Sequence, residues 1–227
     1  MEPVVIIQDG ARRDENALTW AAAHAQLMRT GLEVHRPQDD FRARLVVVGF
    51  RGRGALAMPA PARCDTVVVR GTTAAVDSRH RHVTALVSGG PGDGRVLRHA
   101  ADYARLRGAK LRVLHAVAPS PARHGADTDH GHVLARATAA LGGFAHRAVL
   151  VHAQPHEAIT RCTDTDLIIV GAGNAHECGT VTRAALHHAP CPVLVVRQPV
   201  LETFDGRFAV PERHRALGAR PIVTSTA

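Results

Sequence analysis

Residues 170–196 read "VGAGNAHECGTVTRAALHHAPCPVLVV", which is the order of a strand end, a glycine-containing loop, a helix and an apolar strand. A buried strand that reaches a second strand through a loop and a helix is the repeating unit of a parallel sheet. The loop has two chemical interpretations. Its glycines and Thr180 could face a phosphate group, and its histidine and cysteine side chains could hold a metal ion.

The chain contains an internal repeat that places this unit in a larger fold. The strand "VVIIQ" at residues 4–8 and the helical pattern "ENALTWAAAHAQLMRT" at residues 15–30 return at an offset of 79 residues, as "VTALVSGG" from residue 83 and "VLRHAADYARLRGAK" from residue 96. Further on, "LVVVG" at 45–49 matches "LIIVG" at 167–171, and "CDTVVVRG" at 64–71 matches "CPVLVVRQ" at 191–198. Patterns that return in the same order indicate a duplication.

The alternation of strands and helices predicts an α/β fold with parallel strands and helices on both faces of the sheet. The offset grows from 79 to 122 residues, so the first copy is abbreviated and lacks 43 residues that the second copy has. Those residues are expected to form a helix at roughly 133–141, a strand "RAVLVHA" and a short helix "PHEAITRCT". The predicted domains are a truncated one at 1–73, a full one at 80–198 and an irregular tail at 199–227.

Two local features of the first copy stand out. Gly31 follows the first helical pattern and is expected to mark its end. Only residues 37–44 join the second strand to the third, and a parallel crossover usually needs a dozen residues or more. This link is therefore expected to be strained or unusual.

The composition argues against a nucleic-acid-binding protein. The net charge is +8, but Lys110 is the one lysine and the arginines are spread along all 227 residues rather than massed in one run. We interpret the charge as a compositional bias of solvated faces rather than a polyanion-binding surface. Aromatic residues make up 3% of the chain, which is thin for a protein that stacks bases.

The cysteines and the apolar runs predict the compartment. The four cysteines form no CxxC pair, and no signal-peptide pattern precedes them. We therefore expect free thiols in a reducing cytoplasm. No apolar run approaches 18 residues, so no membrane span is predicted.

Three segments together resemble a universal stress protein domain. They are "HVTALVSGGPGDGRVLRHAADYARLRGAKLRVLHAVAP" at 82–119, "TDLIIVGAG" at 165–173 and "GTVTRAALHHAPCPVLVVR" at 179–197, of which "AALHHAPCPVLVV" is the most specific part. The resemblance covers residues 83–198 well and 4–71 in part. The whole chain resembles the tandem type of actinobacteria, with a truncated first domain.

The resemblance implies two universal-stress-protein-like open parallel sheets with flanking helices, the first abbreviated. It implies a regulatory function in stress, exerted through an adenine nucleotide or through an unknown protein partner. It also implies that the last strands of the two copies, residues 66–69 and 193–196, pair edge to edge as an intrachain pseudo-dimer. Nucleotide-binding members hold ATP with an Asp after the first strand and a loop of the form G-2x-G-9x-G-[S/T] after the fourth.

Each copy keeps a different part of that nucleotide motif. The second copy has Ser88 in place of the Asp, a glycine one residue early at Gly173, and a loop about five residues short before Gly179 and Thr180. The first copy has the acidic residue and the first two glycines but not the final G-[S/T]. The candidate nucleotide-binding residues are Asp9, Gly49, Gly52, Ser88, Val117, Gly171, Gly173, Gly179, Thr180 and Val181. ATP is the implied ligand, with Mg²⁺ as the one metal expected beside it.

Three alternatives remain open. The glycines may serve only to turn the chain after buried strands, which leaves a nucleotide-free interaction module. The stretch "SGGPGDG" at 88–94 resembles the S-G-G-x-D-S loop of ATP pyrophosphatases, with Asp93 one residue late and Gly94 in place of the second serine, so an ATP-using enzyme is a remote alternative. A zinc site would use His176, Cys178, His187, His188 and Cys191. Adjacent histidines on a helix diverge by about 100° and Cys191 begins a buried strand, so we predict no such site and no catalytic residues.

Overall fold

The computed structural model describes residues 2–8, 14–50, 64–119, 127–173 and 178–197. Asp9, Gly52, His176 and the tail at 199–227 lie outside these ranges. The described residues form nine strands and six helices in the order β1 (Val4–Ile7), α1 (Glu15–Met28), β2 (Leu32–His35), β3 (Leu45–Gly49), β4 (Asp65–Val69), α2 (Thr73–Val76), β5 (His82–Val87), α3 (Asp93–Arg107), β6 (Lys110–Val117), α4 (Asp127–Ala140), β7 (His146–His152), α5 (Pro155–Thr160), β8 (Leu167–Gly171), α6 (Thr180–His188) and β9 (Val193–Val196).

All nine strands belong to one sheet, in the order β2-β1-β3-β4-β9-β8-β5-β6-β7. Apart from β4 and β9, neighbouring strands run parallel, which confirms the predicted α/β class. The central strands are apolar, β-branched and covered on both faces, as parallel strands usually are. None of the helices in the described part of the chain is long and apolar enough to cross a membrane.

The repeat seen in the sequence is a repeat in space. The first half of the sheet (β2-β1-β3-β4, with α1) corresponds strand for strand to part of the second half (β9-β8-β5-β6-β7, with α3 to α6). The segment missing from the first half corresponds to α4, β7 and α5 of the second. The helix α2, which lies between the halves, is a single turn that the sequence did not reveal.

The end of α1 differs from the prediction. Arg29, not Gly31, adopts the left-handed conformation that closes the helix, with a φ of 51°. The backbone N–H of Arg29 donates to the carbonyl oxygens of Ala25 and Gln26, so the last turn is closed two residues before the glycine. A left-handed Arg is less favourable than a left-handed Gly. Gly31 leads into β2 instead, and its carbonyl oxygen accepts from the Val4 N–H at 2.9 Å.

The short link between β2 and β3 acts as a cover for the sheet. Its residues Phe41 and Ala43 pack against Val5, Ile7 and Val46, on the opposite face of the sheet from α1. A nearly extended chain covers about 3.3 Å per residue, so nine residues are long enough to pass back beside a four-residue strand. The crossover is therefore made without a helix, and the link buries the apolar face that a helix would otherwise cover.

The two halves join through β4 and β9, which pair antiparallel. Thr66 lies opposite Val195, Val67 opposite Leu194, and Val68 opposite Val193. Val67 and Leu194 are equivalent positions of the repeat, so the register has a local two-fold axis through this pair. The last strands of the two copies thereby cover each other's edges and leave no exposed edge in the middle of the molecule.

The residues that follow β4 add contacts between the two halves. The Arg70 guanidinium donates to the carbonyl oxygen of Leu186 near the end of α6 and stacks 4.2 Å from the centre of the Phe50 ring. Gly71 has a φ of 92°, and a Cβ there would lie 2.0 Å from the carbonyl oxygen of Pro190. The chain leaving β4 therefore lies directly against the chain entering β9, which only a glycine permits.

Candidate functional site

An open cavity of about 780 Å³ lies at the carboxyl ends of β5 and β8, between the N-terminal ends of α3 and α6. Ligands of open parallel sheets bind at this end of the strands. The described residues that line it are Leu86, Ser88, Gly90, Pro91, Gly92, Asp93, Val170, Gly171, Gly173, Gly179, Thr180, Val181 and Thr182. Six of the predicted nucleotide-binding residues are among them, namely Ser88, Gly171, Gly173, Gly179, Thr180 and Val181.

The Asp93 carboxylate organises the loop between β5 and α3. It accepts hydrogen bonds from the backbone N–H of Ser88 at 3.1 Å and of Gly89 at 2.7 Å. The Ser88 hydroxyl donates to the same carboxylate at 3.4 Å. A carboxylate thus stands beside Ser88, the position where the resemblance implies an Asp.

Asp93 was absent from the predicted nucleotide-binding residues, although the sequence carries a signal for it. At the offset of 79 residues, Asp93 aligns with Asp14, and both stand where the helix after the first strand of a copy begins. Asp14 caps α1 by accepting from the backbone N–H of Ala17 at 3.0 Å. Asp93 turns back instead to the preceding loop, so the repeated residue has different partners in the two halves.

The first half provides no part of this cavity from its described residues. Gly49 ends β3, and a Cβ there would lie 1.9 Å from Oδ2 of Asp14. A glycine at 49 therefore leaves room for the Asp14 carboxylate that caps α1. Gly49 belongs to the first half of the molecule, whereas Gly171 belongs to the second. Asp9 and Gly52, the other two predicted residues of this half, lie outside the described residues.

The two ends of the loop after β8 lie next to each other. Gly173 has a φ of 95°, which favours glycine, and it forms an isolated antiparallel bridge with Cys178. The Gly179 N–H donates to the carbonyl oxygen of Ala172 at 3.3 Å, and the Thr182 hydroxyl donates to that of Gly171. α6 begins directly after this loop, and Gly179 provides no side chain to cap it. The first turn of α6 therefore presents backbone N–H groups and a positive dipole end to the cavity.

A smaller apolar pocket of about 110 Å³ adjoins the cavity and shares Leu86, Ser88 and Val181 with it. Its other lining residues are Val87, Leu114, His115, Ala116, Pro155 and Ile159. The His115 ring is fixed, because Nδ1 lies 2.9 Å from the Val87 carbonyl oxygen and Nε2 lies 3.2 Å from Nδ1 of His130. Val117, which we predicted as a site residue, lies one position beyond Ala116 and is not in the lining of either space.

The five residues considered as zinc ligands include His176, which lies outside the described residues. Among the described residues, no group of three or more His, Cys, Asp and Glu side chains is arranged to hold a metal ion. Cys191 is fully buried in the core, and burial raises the pKa of its thiol strongly. Burial also raises the pKa of Cys178. Metal binding needs the thiolate, which burial disfavours at both cysteines.

The family comparison matches the second half of the chain. The model of the universal stress protein family matches residues 79–197, which is the range from the end of the short helix α2 to the end of β9. Among curated proteins, none matches the sequence.

Solved structures share the fold over most of the chain. A universal stress protein from Archaeoglobus fulgidus DSM 4304 gives a TM-score of 0.56 at 15% identity, over 87% of this chain and 86% of that chain. A functionally unknown protein from Pseudomonas aeruginosa PAO1 gives a TM-score of 0.53 at 16% identity, over 85% and 80%. A universal stress protein from A. fulgidus in complex with dAMP gives 0.43 at 25% identity, over 51% of this chain and 95% of that chain. The first two show a common fold.

Proposed function

Because the chain belongs to the universal stress protein family, we propose that it is a regulatory stress-response protein that binds an adenine nucleotide in the cavity between β5 and β8. The observation that carries this proposal is the cavity itself. It gathers six residues that the sequence motif singled out, and it lies where α/β sheets bind ligands.

The apolar pocket and the larger cavity suit different parts of an adenine nucleotide. The apolar pocket around Leu86, Ala116 and Ile159 suits a base ring, because it is lined mainly by carbon atoms. The first turn of α6, which begins at Thr180, suits a phosphate group. The Asp93 carboxylate lines the larger cavity and suits the ribose hydroxyl groups. ATP with Mg²⁺ is the ligand that the family resemblance implies.

The tandem arrangement is part of the same proposal. The strands at 66–69 and 193–196 pair with a local two-fold register, which supports an intrachain pseudo-dimer. All four cysteines are free thiols, which supports a reducing cytoplasm. A protein partner would then read the state of the nucleotide site.

The substitution Thr180→Glu tests the proposed function. It adds a carboxylate where the phosphate should bind, yet a negative charge at a helix N-terminus favours the fold. Calorimetry of nucleotide-stripped protein with ATP, ADP and AMP in the presence of Mg²⁺ should show binding that this variant weakens at least about tenfold. Thr30→Glu is the matched control, since Thr30 lies in the first half and donates to Glu2. It should leave the affinity unchanged.

The absence of any heat or thermal shift with all three nucleotides would overturn the proposal and favour the nucleotide-free interaction module. Binding that Thr180→Glu and Thr30→Glu affect equally would overturn the assignment of the cavity. Release of AMP and pyrophosphate from ATP, lost on substitution of Ser88 or Asp93, would instead favour the ATP-using enzyme.

A further inference from the structure

The cavity has an unusual charge for a site that would hold a polyphosphate. Among the described residues that line it, Asp93 is the one with a charged side chain, and no Lys, Arg or His belongs to that set. Sites for triphosphates normally place cationic side chains or a metal ion beside the chain of phosphates.

Asp93 also removes hydrogen-bond donors that a phosphate could use. The backbone N–H groups of Ser88 and Gly89 point at its carboxylate, at 3.1 Å and 2.7 Å. Backbone N–H groups of a glycine-containing loop are the usual partners of phosphate oxygens in such folds. Here an internal anion already occupies them, so the β5–α3 loop is closed to a second anion.

The opposite side of the cavity, formed by the loop after β8 and the start of α6, also offers few free hydrogen-bond donors among its described residues. The Gly179 N–H donates to the carbonyl oxygen of Ala172, and Gly173 forms a bridge with Cys178. Among the described residues on this side, the backbone N–H groups that remain for an anion are those of the first turn of α6, at Thr180 and Val181. The N-terminus of one helix carries the equivalent of about half a positive charge. This partial charge suits one phosphate group better than a chain of three.

We propose that this cavity selects an adenine nucleotide with one phosphate, and that Asp93 is the residue that excludes ATP. The inference rests on the proposed function of the same site. The ribose hydroxyl groups donate to the lone pairs of the Asp93 carboxylate that Ser88 and Gly89 leave free, since a carboxylate has about four acceptor positions. One phosphate group then contacts the first turn of α6. The additional charges of ATP are repelled by the Asp93 carboxylate, with no cation in the described lining to offset them.

The test measures the ratio of the affinities for AMP and ATP, not either affinity alone. Calorimetry of the full chain, stripped of nucleotide, should give an AMP affinity at least about tenfold above that of ATP at low salt. Asp93→Asn keeps the size of the side chain and removes its charge, so the ratio should fall at least about tenfold toward ATP. Asp102→Asn is the matched control, because Asp102 lies on the same helix, pairs with Arg105 at 3.1 Å and is outside the cavity. This control should leave the ratio unchanged.

A salt series on the unmodified protein tests the inference even if Asp93→Asn fails to fold. Rising salt screens the repulsion between Asp93 and the phosphates, so the AMP-to-ATP ratio should move toward one between about 0.05 M and 0.5 M. ATP binding as tightly as AMP at low salt would overturn the inference and leave the proposed function intact. So would an Asp93→Asn ratio equal to that of the unmodified protein. No binding of either nucleotide would overturn the proposed function, and with it this inference.

Discussion

His24 is a buried histidine at the contact between the two halves of the molecule. Its ring stacks on Trp20 from the same helix, with ring centres 4.9 Å apart, and on Tyr103 from α3, with centres 5.1 Å apart. Burial, which is the largest cause, and the nearby positive charges of Arg107 and Arg44 together lower the pKa of His24 to about 3. His24 is therefore neutral in the folded protein at any pH near neutrality.

This pKa predicts acid sensitivity. Between pH 6.5 and pH 3 the unfolded chain binds a proton at His24 that the folded protein does not, so the free energy of unfolding falls as the pH falls. The loss between pH 7.5 and pH 5 should be about 2 kcal/mol. Urea unfolding at the two pH values measures it, and His24→Phe, which keeps a ring in the stack, should reduce the loss by that amount. His132→Phe, at an exposed position on α4, is the control; equal pH dependence in both variants would contradict the assignment to His24.

At the residue scale, sequence and structure agree where a residue's function is set by its own segment. Thr180 and Gly179 precede an apolar helical pattern, so their place at the start of α6 could be predicted. Asp93 has a signal in the sequence, its alignment with Asp14, but its place in the cavity depends on backbone N–H groups that any residue type would provide. Gly49 was predicted as a nucleotide-binding residue, but the reason for a glycine there is the Asp14 carboxylate, which the sequence places 35 residues earlier.

At the element scale, Asp65 links the strand pair β4–β9 to the helix α3. Its carboxylate accepts from the Arg197 N–H at 2.9 Å, lies 3.3 Å from Nδ1 of His99 and lies 3.9 Å from an Arg95 nitrogen. The Asp65 side chain is 12% exposed, so water competes little for these contacts. Asp65 thus ties the end of β9 and one face of α3 to the start of β4.

Removing this carboxylate should loosen the junction. Asp65→Ala leaves the Arg197 N–H without its acceptor and the Arg95 guanidinium without its partner, and we expect the free energy of unfolding to fall by about 2 kcal/mol. The matched control is Asp164→Ala, which removes an ion pair with Arg112 at 2.7 Å from a side chain that is 56% exposed. An exposed pair contributes less than about 1 kcal/mol. Chemical denaturation of both variants at pH 7.5 compares them, and equal losses would refute a special place for Asp65.

The strands were predictable because each is a short apolar run between turn residues. β3 and β8 coincide with "LVVVG" and "LIIVG", residue for residue. The start of α4 was placed too late, since it begins at Asp127 rather than near Val133. The stretch "DTDHGH" at 127–132 is polar and contains a glycine, so it has no apolar period to reveal a helix. Tertiary contacts decide such a segment.

At the scale of the whole molecule, one apolar core joins the halves. The buried cluster on the α1 and α3 side contains Val4 and Trp20 from the first half together with Leu97 and Ile169 from the second. The sheet is also continuous through β4 and β9. Both features predict that the halves unfold together rather than one after the other.

The chain offers a direct measure of this cooperativity. Trp20 is the one tryptophan and reports on the first half, whereas far-UV circular dichroism is dominated by the helices of the second half. The two probes should give the same urea midpoint in the unmodified protein. Val195→Pro removes an N–H from the centre of the sheet and should separate the midpoints or unfold the chain. Val195→Ala keeps the N–H and should lower both midpoints together, and coincident midpoints in the proline variant would contradict the model.

The two-fold register at Val67 and Leu194 has a consequence for how such a molecule can change over time. In a dimer of identical chains, every substitution in the joining strand occurs twice across the axis, so both sides must tolerate it. In this chain each side is encoded separately. Asp65 aligns with Pro192 at the repeat offset of 127 residues, and only the carboxylate can pair with Arg95. Encoding both strands in one chain thus lets each of them vary alone, and the first half differs from the second by the segment that corresponds to α4, β7 and α5.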